Sequence, residues 1–243
     1  MAAAVVSVSS LAYASRTNST IPAPATISDN NILIAFGYGV ASGGITAPTG
    51  FALWAEATYD TSTPGSDDNA GHQVCYWKRA ASESGDYTFS HSSASTNWWM
   101  ANCSGAVTSG TPEDPAPVVT LGNGPGAPDN AVGTGLTTTV DGDLVIASLS
   151  SWDDLAAMSP PTDFTENYDN GAATSTMYGC SLVKSPAGAV GDMTFDNTTA
   201  LGNGWSIIVV SLKAAVAAGG VVGPLVGGRL VNNSMLVGGR LVH

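Results

Sequence analysis

The side chains that could perform acid–base or metal chemistry are few in this 243-residue chain, and they are widely spaced. The three histidines are His72, His91 and His243. His72 and Cys75 could approach one metal ion, but two candidate ligands do not make a metal site. His91 begins the polar stretch HSSASTN, where we expect it to be solvated. The histidines therefore predict neither a base–nucleophile pair nor a metal centre.

The short motifs of common enzyme classes are also missing from the sequence. It contains no G-x-S-x-G, no G-x-x-x-x-G-K-[ST] and no H-E-x-x-H. Ser181 and Lys184 match S-x-x-K, but that motif needs a helix to bring both side chains together. This stretch is a predicted strand, in which positions three apart point to opposite faces. We therefore predict that the protein is not an enzyme and has no catalytic residues and no cofactor.

The acidic residues form small clusters. A glycosidase needs two carboxyl groups roughly 5–10 Å apart across a cleft, and the sequence fixes no such pair. Asp67, Asp68 and Asn69 belong either to a calcium loop or to a plain solvated loop, and the EF-hand spacing is absent. The remaining clusters are Asp141/Asp143 and Asp153/Asp154.

Composition excludes several classes of protein. Only 11% of the residues are charged, and the 29 glycines and 13 prolines argue against a helix bundle. The 19 Asp and Glu outnumber the 7 Lys and Arg, which gives a formal net charge of -12. Because nucleic acids and anionic membrane surfaces attract basic proteins, we expect neither as a partner.

The elements that must position any site are strands. Helical periodicity is almost absent, and short apolar runs are bounded by Gly, Pro, Asn, Asp or Ser, which is typical of an all-β sandwich. These runs are residues 32–36, 73–77, 144–149 and 205–212. Cys75, Cys103 and Cys180 form no C-x-x-C pair, so we predict buried free thiols. Residues 12–14 look like a signal-peptide cleavage site, but the alternating residues 6–9 favour a strand.

An internal repeat organises the chain. The matches include Lys78/Lys184, Gly85/Gly191, Asp86/Asp192, Phe89/Phe195, Asn97/Asn203 and Trp99/Trp205. Upstream, residues 31–35 and 48–51 match residues 143–147 and 161–164. We therefore predict two related β-sandwich (jelly-roll-like) units, residues 1–108 and 136–215, packed together. Residues 109–135 are rich in Gly and Pro and are predicted to be a connector or a long surface loop. The two units could also form one two-sheet sandwich.

The C-terminal residues 216–243 differ from the rest and contain LVGGRLV twice, at residues 225–231 and 236–242. An isolated two-strand tail is marginally stable, so this Gly-rich tail of short strands either pairs with another chain or stays unstructured. We expect it to dock to a partner or to assemble sister subunits; the alternative anchor is the N-terminal segment. The candidate docking residues are Leu225, Arg229, Leu230, Leu236, Arg240 and Leu241.

Tryptophans are candidates for contacts with sugars or with protein neighbours. Trp99 and Trp205 occupy the same repeat position, which favours a place in the core. We expect the side chain of Trp98 to point to the opposite face of the strand from that of Trp99, because successive side chains in a strand alternate between its two faces. We therefore expect Trp98 and Trp152 to be exposed aromatic contacts.

Several motifs resemble a family of tailed-bacteriophage virion proteins. They are YASRTN at residues 13–18, APTGF at 47–51, YWKRA at 76–80, ESGDYTF at 83–89, and the Gly-Asp-Leu-Val and Pro-Pro-x-x-Phe patterns of the second half. The resemblance covers about residues 5–215, and its motifs are structural. It implies β-sandwich modules and no catalytic residues.

The resemblance also implies a component of the virion, on the capsid exterior, that is made in the host cytoplasm. Such a capsid decoration (cement) or head-fibre protein would dock to the major capsid protein or another virion protein and would form homo-oligomers, with a trimer favoured. The alternative is a carbohydrate-binding or adhesin module of a phage tail or cell surface, with Trp98 and Trp152 in one groove. A hydrolase is the third possibility.

Overall fold

The computed structural model describes residues 1–40, 44–60, 70–122, 130–152, 158–170, 175–196 and 204–215. This part of the chain is all-β, as the apolar runs predicted, and holds no helix long and apolar enough to cross a membrane. Its strands are β1 (Ala4–Ile21), β2 (Ile32–Val40), β3 (Ala52–Asp60), β4 (Ala70–Arg79), β5 (Tyr87–Ser104), β6 (Val118–Gly122), β7 (Ala131–Gly133), β8 (Asp143–Ser151), β9 (Thr165–Asn170), β10 (Thr176–Lys184), β11 (Met193–Phe195) and β12 (Trp205–Leu212).

The strands form two five-stranded antiparallel sheets, one from each half of the chain. The first sheet has the order β1-β5-β2-β4-β3, and the second has the order β6-β12-β8-β10-β9. Strands β7 and β11 pair separately as a two-stranded ribbon. The sheets pack face to face over an inner core to which both contribute, including Ile34, Phe36 and Trp99 from the first sheet and Ile146 and Ile208 from the second. The expected β-sandwich class is confirmed.

Each sheet is also covered on its outer face. On the first sheet, Ile21 and Phe89, from the distal parts of β1 and β5, pack with Leu33 and Trp98 in a first outer core. On the second sheet, the ribbon brings Phe195 against Tyr178 in a second outer core, with ring centroids 6.1 Å apart. Two-sided burial explains why the central strands β2, β8 and β12 carry apolar runs on both faces rather than alternating, and why β8 and β12 are buried at every position.

The repeat in the sequence coincides with a repeated strand order. Strands β1 to β5 occupy the same positions in the first sheet as β6, β8, β9, β10 and β12 in the second. Phe89 and Phe195, matched in the sequence, are both fully buried in outer cores. Trp99 and Trp205 are both buried, but Trp99 faces the inner core and Trp205 the second outer core. The sequence alignment without gaps therefore pairs two tryptophans that are not structurally equivalent. The duplication stays a prediction.

The connector prediction needs a correction. Residues 109–135 contain β6 and β7, because Val118 and Ala131 have apolar neighbours in the second outer core. β6 is hydrogen-bonded to β12, so the second unit begins before residue 136. The predicted tail, residues 216–243, lies outside the described residues.

The sandwich has two distinct ends. At the end that we call the terminal end, the first strand begins and β12 stops, and Ala106 forms an isolated bridge with Ala214. At the opposite end, which we call the loop end, β2, β3, β6, β8 and β9 stop and β4, β10 and β12 begin, as the pairs Asp60↔Ala70 and Ser151↔Trp205 show.

Candidate functional site

In the part of the chain that the structure describes, the histidines and cysteines do not converge on one site. His72 is part-buried, with its Nε2 atom 3.4 Å from Glu56 Oε2, whereas Cys75 lies in the inner core. The two residues are on opposite faces of β4, so they do not share a metal. Within the residues that the structure describes, no group of three or more His, Cys, Asp or Glu could hold a metal ion. Asp67, Asp68, Asn69, Asp153, Asp154 and His243 lie outside those residues.

His91 is hydrogen-bonded to the protein, contrary to the expectation that it is solvated. Its Nε2 atom is 2.9 Å from Ser19 Oγ, and its Nδ1 atom is 2.7 Å from the carbonyl oxygen of Ser92. Ser19 is fully buried, and its hydroxyl also contacts Thr96 Oγ1 at 2.8 Å. Ser19 is buried, and His91 contacts the Ser92 carbonyl oxygen rather than a carboxylate through its other ring nitrogen. We therefore interpret the Ser19–His91 contact as a structural hydrogen bond between β1 and β5 rather than as a nucleophile–base pair. The 72-residue separation of Ser19 and His91 hid this contact from sequence reasoning.

The two candidate exposed tryptophans are not a binding platform. Trp98 is fully buried in the first outer core, where it stacks on Phe89 at 4.4 Å between ring centroids. Trp152 is part-buried and packs against the inner core. The expectation of exposure was wrong for Trp98 because the strand face opposite Trp99 is covered by the distal parts of β1 and β5. The continuous apolar run of β2 was the available signal.

A buried polar cluster joins the two sheets near the loop end. Ser206 Oγ donates to Gln73 Oε1 at 2.6 Å, and Gln73 Nε2 donates to the carbonyl oxygen of Ser148 at 3.0 Å. Ser150 Oγ contacts both Ser206 Oγ at 3.0 Å and Tyr59 OH at 3.2 Å. Because Gln73 and Ser206 are fully buried, these bonds satisfy polar groups that would otherwise be costly. Their role is to fix the register of one sheet over the other.

The thiols of Cys75, Cys103 and Cys180 are buried and unpaired, as predicted. Desolvation raises the pKa of each thiol well above its usual range. A nucleophilic cysteine needs a lowered pKa, so these side chains behave as small apolar core residues. Ser181 and Lys184 lie in β10, three positions apart, and do not form a serine–lysine pair.

The last described residues before the C-terminal segment, Ala214 and Ala215, lie at the terminal end. Hydrogen bonds to three other parts of the chain fix their positions. The Met1 amino group donates to the carbonyl oxygen of Ala215 at 2.8 Å. The Ala215 amide donates to the carbonyl oxygen of Gly105 at 2.7 Å. The Ala214 amide donates to Asp143 Oδ1, also at 2.7 Å. Both ends of the described chain are therefore fixed beside each other.

Two carboxyl groups support this end. Asp143 is fully buried, and desolvation, together with the neighbouring Asp114 carboxyl, raises its pKa to about 6. The pKa of Asp114 is lowered, although its burial acts in the opposite direction, because Thr139 donates to Asp114 Oδ2 from its hydroxyl at 2.6 Å and from its amide at 2.9 Å. Protonation of Asp143 near pH 6 therefore relieves the repulsion between these carboxyl groups.

Comparison with known proteins identified no relative. No family model matches the chain, and the searches of curated proteins and of solved structures found no match.

Proposed function

We propose that this chain is a non-enzymatic structural protein of a tailed-bacteriophage virion, a capsid decoration or head-fibre protein on the capsid exterior. It docks through its C-terminal segment to the major capsid protein, to another virion protein or to sister subunits. The motifs that resemble phage virion proteins motivate the class, and the fold that they imply is the fold observed.

The observation that carries the proposal is the arrangement of the terminal end. Ala214 and Ala215 are fixed by Asp143, Gly105 and the Met1 amino group, so the C-terminal segment leaves from a defined place. The loop end lies at the other extreme of the sandwich. A body held at its terminal end presents its loop end outward, which suits a protein on the surface of a particle.

The packing of the body supports the same role. Both faces of the central strands of each sheet are buried by the protein itself, so the surfaces left for a partner are mainly the outer strands, the ends and the C-terminal segment. The carbohydrate-binding alternative rested on Trp98 and Trp152 in one groove, and these residues belong to different cores.

Light scattering coupled to size-exclusion chromatography tests docking by the C-terminal segment. The full chain has a mass of 24.4 kDa and is expected to elute as a closed oligomer, with three times that mass for a trimer. A chain that ends after Ala215 retains the contacts with Gly105 and Met1 and should elute as a monomer with an unchanged circular dichroism spectrum. If the full and the truncated chain both elute as monomers, the result contradicts self-assembly through this segment. An insoluble truncated chain would show that the segment belongs to the fold of the body.

A further inference from the structure

The free edge of β6 differs from the other edges of the two five-stranded sheets in the described residues. β6 is hydrogen-bonded to β12 on one side only, at the end of the second sheet. Residues 115–128, which include β6, contain no charged residue. The side chains of Val119 and Leu121 are 38% and 47% exposed. An uncharged edge with exposed apolar side chains can pair with another strand.

The other three edge strands of the two five-stranded sheets have features that discourage pairing, and the ribbon strands β7 and β11 are only three residues long. β3 carries the exposed Glu56 and a register shift between Leu53 and Ala55. β9 carries Glu166 and Asp169 and has a register shift of its own. β1 has three register shifts along its pairing with β5, and its Ser9 hydroxyl donates to the carbonyl oxygen of Pro22, so the following segment lies beside it. Charges and bulges are the usual protections of an edge strand, and β6 has neither. The Thr134 amide donates to the Thr120 hydroxyl of β6 at 2.9 Å, but this bond leaves the main-chain groups of the edge unpaired in the described residues.

We propose that the β6 edge is the receiving site for an LVGGRLV segment of a second copy of this chain, which adds to the second sheet as a further strand. This inference rests on the proposed function, because it names the site to which the docking segment binds. The main chain would supply the hydrogen bonds, and the Leu and Val side chains would pack on Val119 and Leu121.

Charge complementarity favours the C-terminal segment as the occupant. All 19 Asp and Glu lie in residues 1–215, with five of the seven Lys and Arg. Residues 216–243 contain Arg229 and Arg240 and no acidic residue. Two acidic bodies repel each other, whereas a basic apolar segment is attracted to an acidic body. A β6–β6 contact would bring together two bodies of the same charge.

The number of repeats and the length of the segment favour an occupant from another copy. The segment contains two LVGGRLV repeats, whereas β6 is the one uncharged edge strand of the two five-stranded sheets in the described body. One repeat therefore has no such edge on its own body. The nine residues between Ala215 and Leu225 reach about 30 Å when extended, which is enough to pass from one body to its neighbour. Such a contact is heterologous, and the expected trimer is the ring that it forms when three copies close on each other.

Hydrogen exchange measured by mass spectrometry, together with light scattering, tests the inference on the full chain. The variant carries Val119→Lys and Leu121→Lys, and the matched control is Val183→Lys, a 43% exposed residue on β10. In the wild type and the control, the oligomer persists and residues 118–122 exchange slowly. In the variant, the mass falls to 24.4 kDa and exchange at residues 118–122 and 225–231 accelerates on the order of tenfold. A far-ultraviolet circular dichroism spectrum equal to that of the wild type, with a cooperative thermal transition, shows that the body of the variant is folded.

The outcomes separate this inference from the proposed function. If the variant keeps the wild-type mass while truncation after Ala215 lowers it, the segment docks elsewhere and only the inference fails. If truncation leaves the mass unchanged and the variant lowers it, the β6 edges pair with each other and the C-terminal segment is not the occupant. A monomeric full chain with protected residues 118–122 would show docking within one chain, which also overturns the proposal.

Discussion

Trp99→Ala and Gly179→Ala are expected to affect stability in a strongly non-additive way, because the indole of Trp99 occupies the space above Gly179. Trp99 belongs to the first sheet and Gly179 to the second, and a Cβ atom added at Gly179 would lie 2.4 Å from the indole ring. Trp99 is fully buried, stacks on Phe36 at 4.8 Å between ring centroids, and donates from Nε1 to Ser148 Oγ at 3.1 Å.

The magnitudes follow from these contacts. Trp99→Ala removes a fully buried aromatic side chain and should cost about 3–5 kcal/mol in the free energy of unfolding. Gly179→Ala overpacks the inner core and should cost about 1–3 kcal/mol. When residue 99 is already alanine, the added methyl group fills part of the cavity, so Gly179→Ala should then cost less than about 0.5 kcal/mol. The expected coupling is on the order of 1–2 kcal/mol.

Urea unfolding followed by far-ultraviolet circular dichroism measures all four chains of this cycle. Gly191→Ala is the matched control, because a Cβ atom added there has no heavy atom within 4 Å, and its effect should stay within about 0.5 kcal/mol. Additive effects of Trp99→Ala and Gly179→Ala would refute the shared inner core, since the two residues would then not be in contact.

Three further predictions concern the pH dependence, the polar cluster and the thiols. The folded pKa of Asp143, about 6, exceeds its unfolded value, so its contribution to stability is present at low pH and lost as the pH rises through 6. The free energy of unfolding of the wild type should therefore fall by on the order of 1–2 kcal/mol between pH 5 and 7.5. Measured by urea unfolding, the free energy of unfolding of Asp143→Asn should depend less on pH. An equal pH dependence of the two chains would contradict the repulsion between the Asp143 and Asp114 carboxyl groups. Gln73→Leu should cost about 1–3 kcal/mol in the free energy of unfolding, because it removes the Gln73 acceptor from the buried Ser206 hydroxyl and the Gln73 donor from the Ser148 carbonyl oxygen. Adding Ser206→Ala should recover part of that loss in the same assay, and a double variant no more stable than Gln73→Leu would contradict the hydrogen bond. Cys75, Cys103 and Cys180 should resist a thiol reagent in the native state and react in denaturant, and fast labelling of any of them in the native state would contradict its burial.

The strand content could be predicted because the turns and apolar runs are local features. The runs at residues 32–36, 144–149 and 205–212 all fall within strands of the structure. The lack of alternation in the same runs also indicates that these strands are buried on both faces, since a strand with one solvated face alternates between apolar and polar residues. The alternation between Trp98 and Trp99 alone predicts an exposed Trp98, and this prediction is wrong because the outer face of the first sheet is also covered.

The parts that could not be predicted depend on contacts between distant residues. Strand β6 follows two prolines and precedes a Gly-rich stretch, so composition indicated a connector, and only its pairing with β12 makes it a strand. Likewise, Gln73 and Ser206 are ordinary polar residues in the sequence. Their hydrogen bond spans 133 positions and exists only when the sheets face each other.

Immunogold electron microscopy tests most directly the proposal that this chain lies on the exterior of a phage capsid. Antibodies raised against residues 1–215 are applied to intact and disrupted particles of the phage that encodes the chain. The account predicts gold particles on the outer surface of intact heads. Labelling that requires disruption of the particle, or no labelling of either preparation, would contradict a structural protein on the capsid exterior.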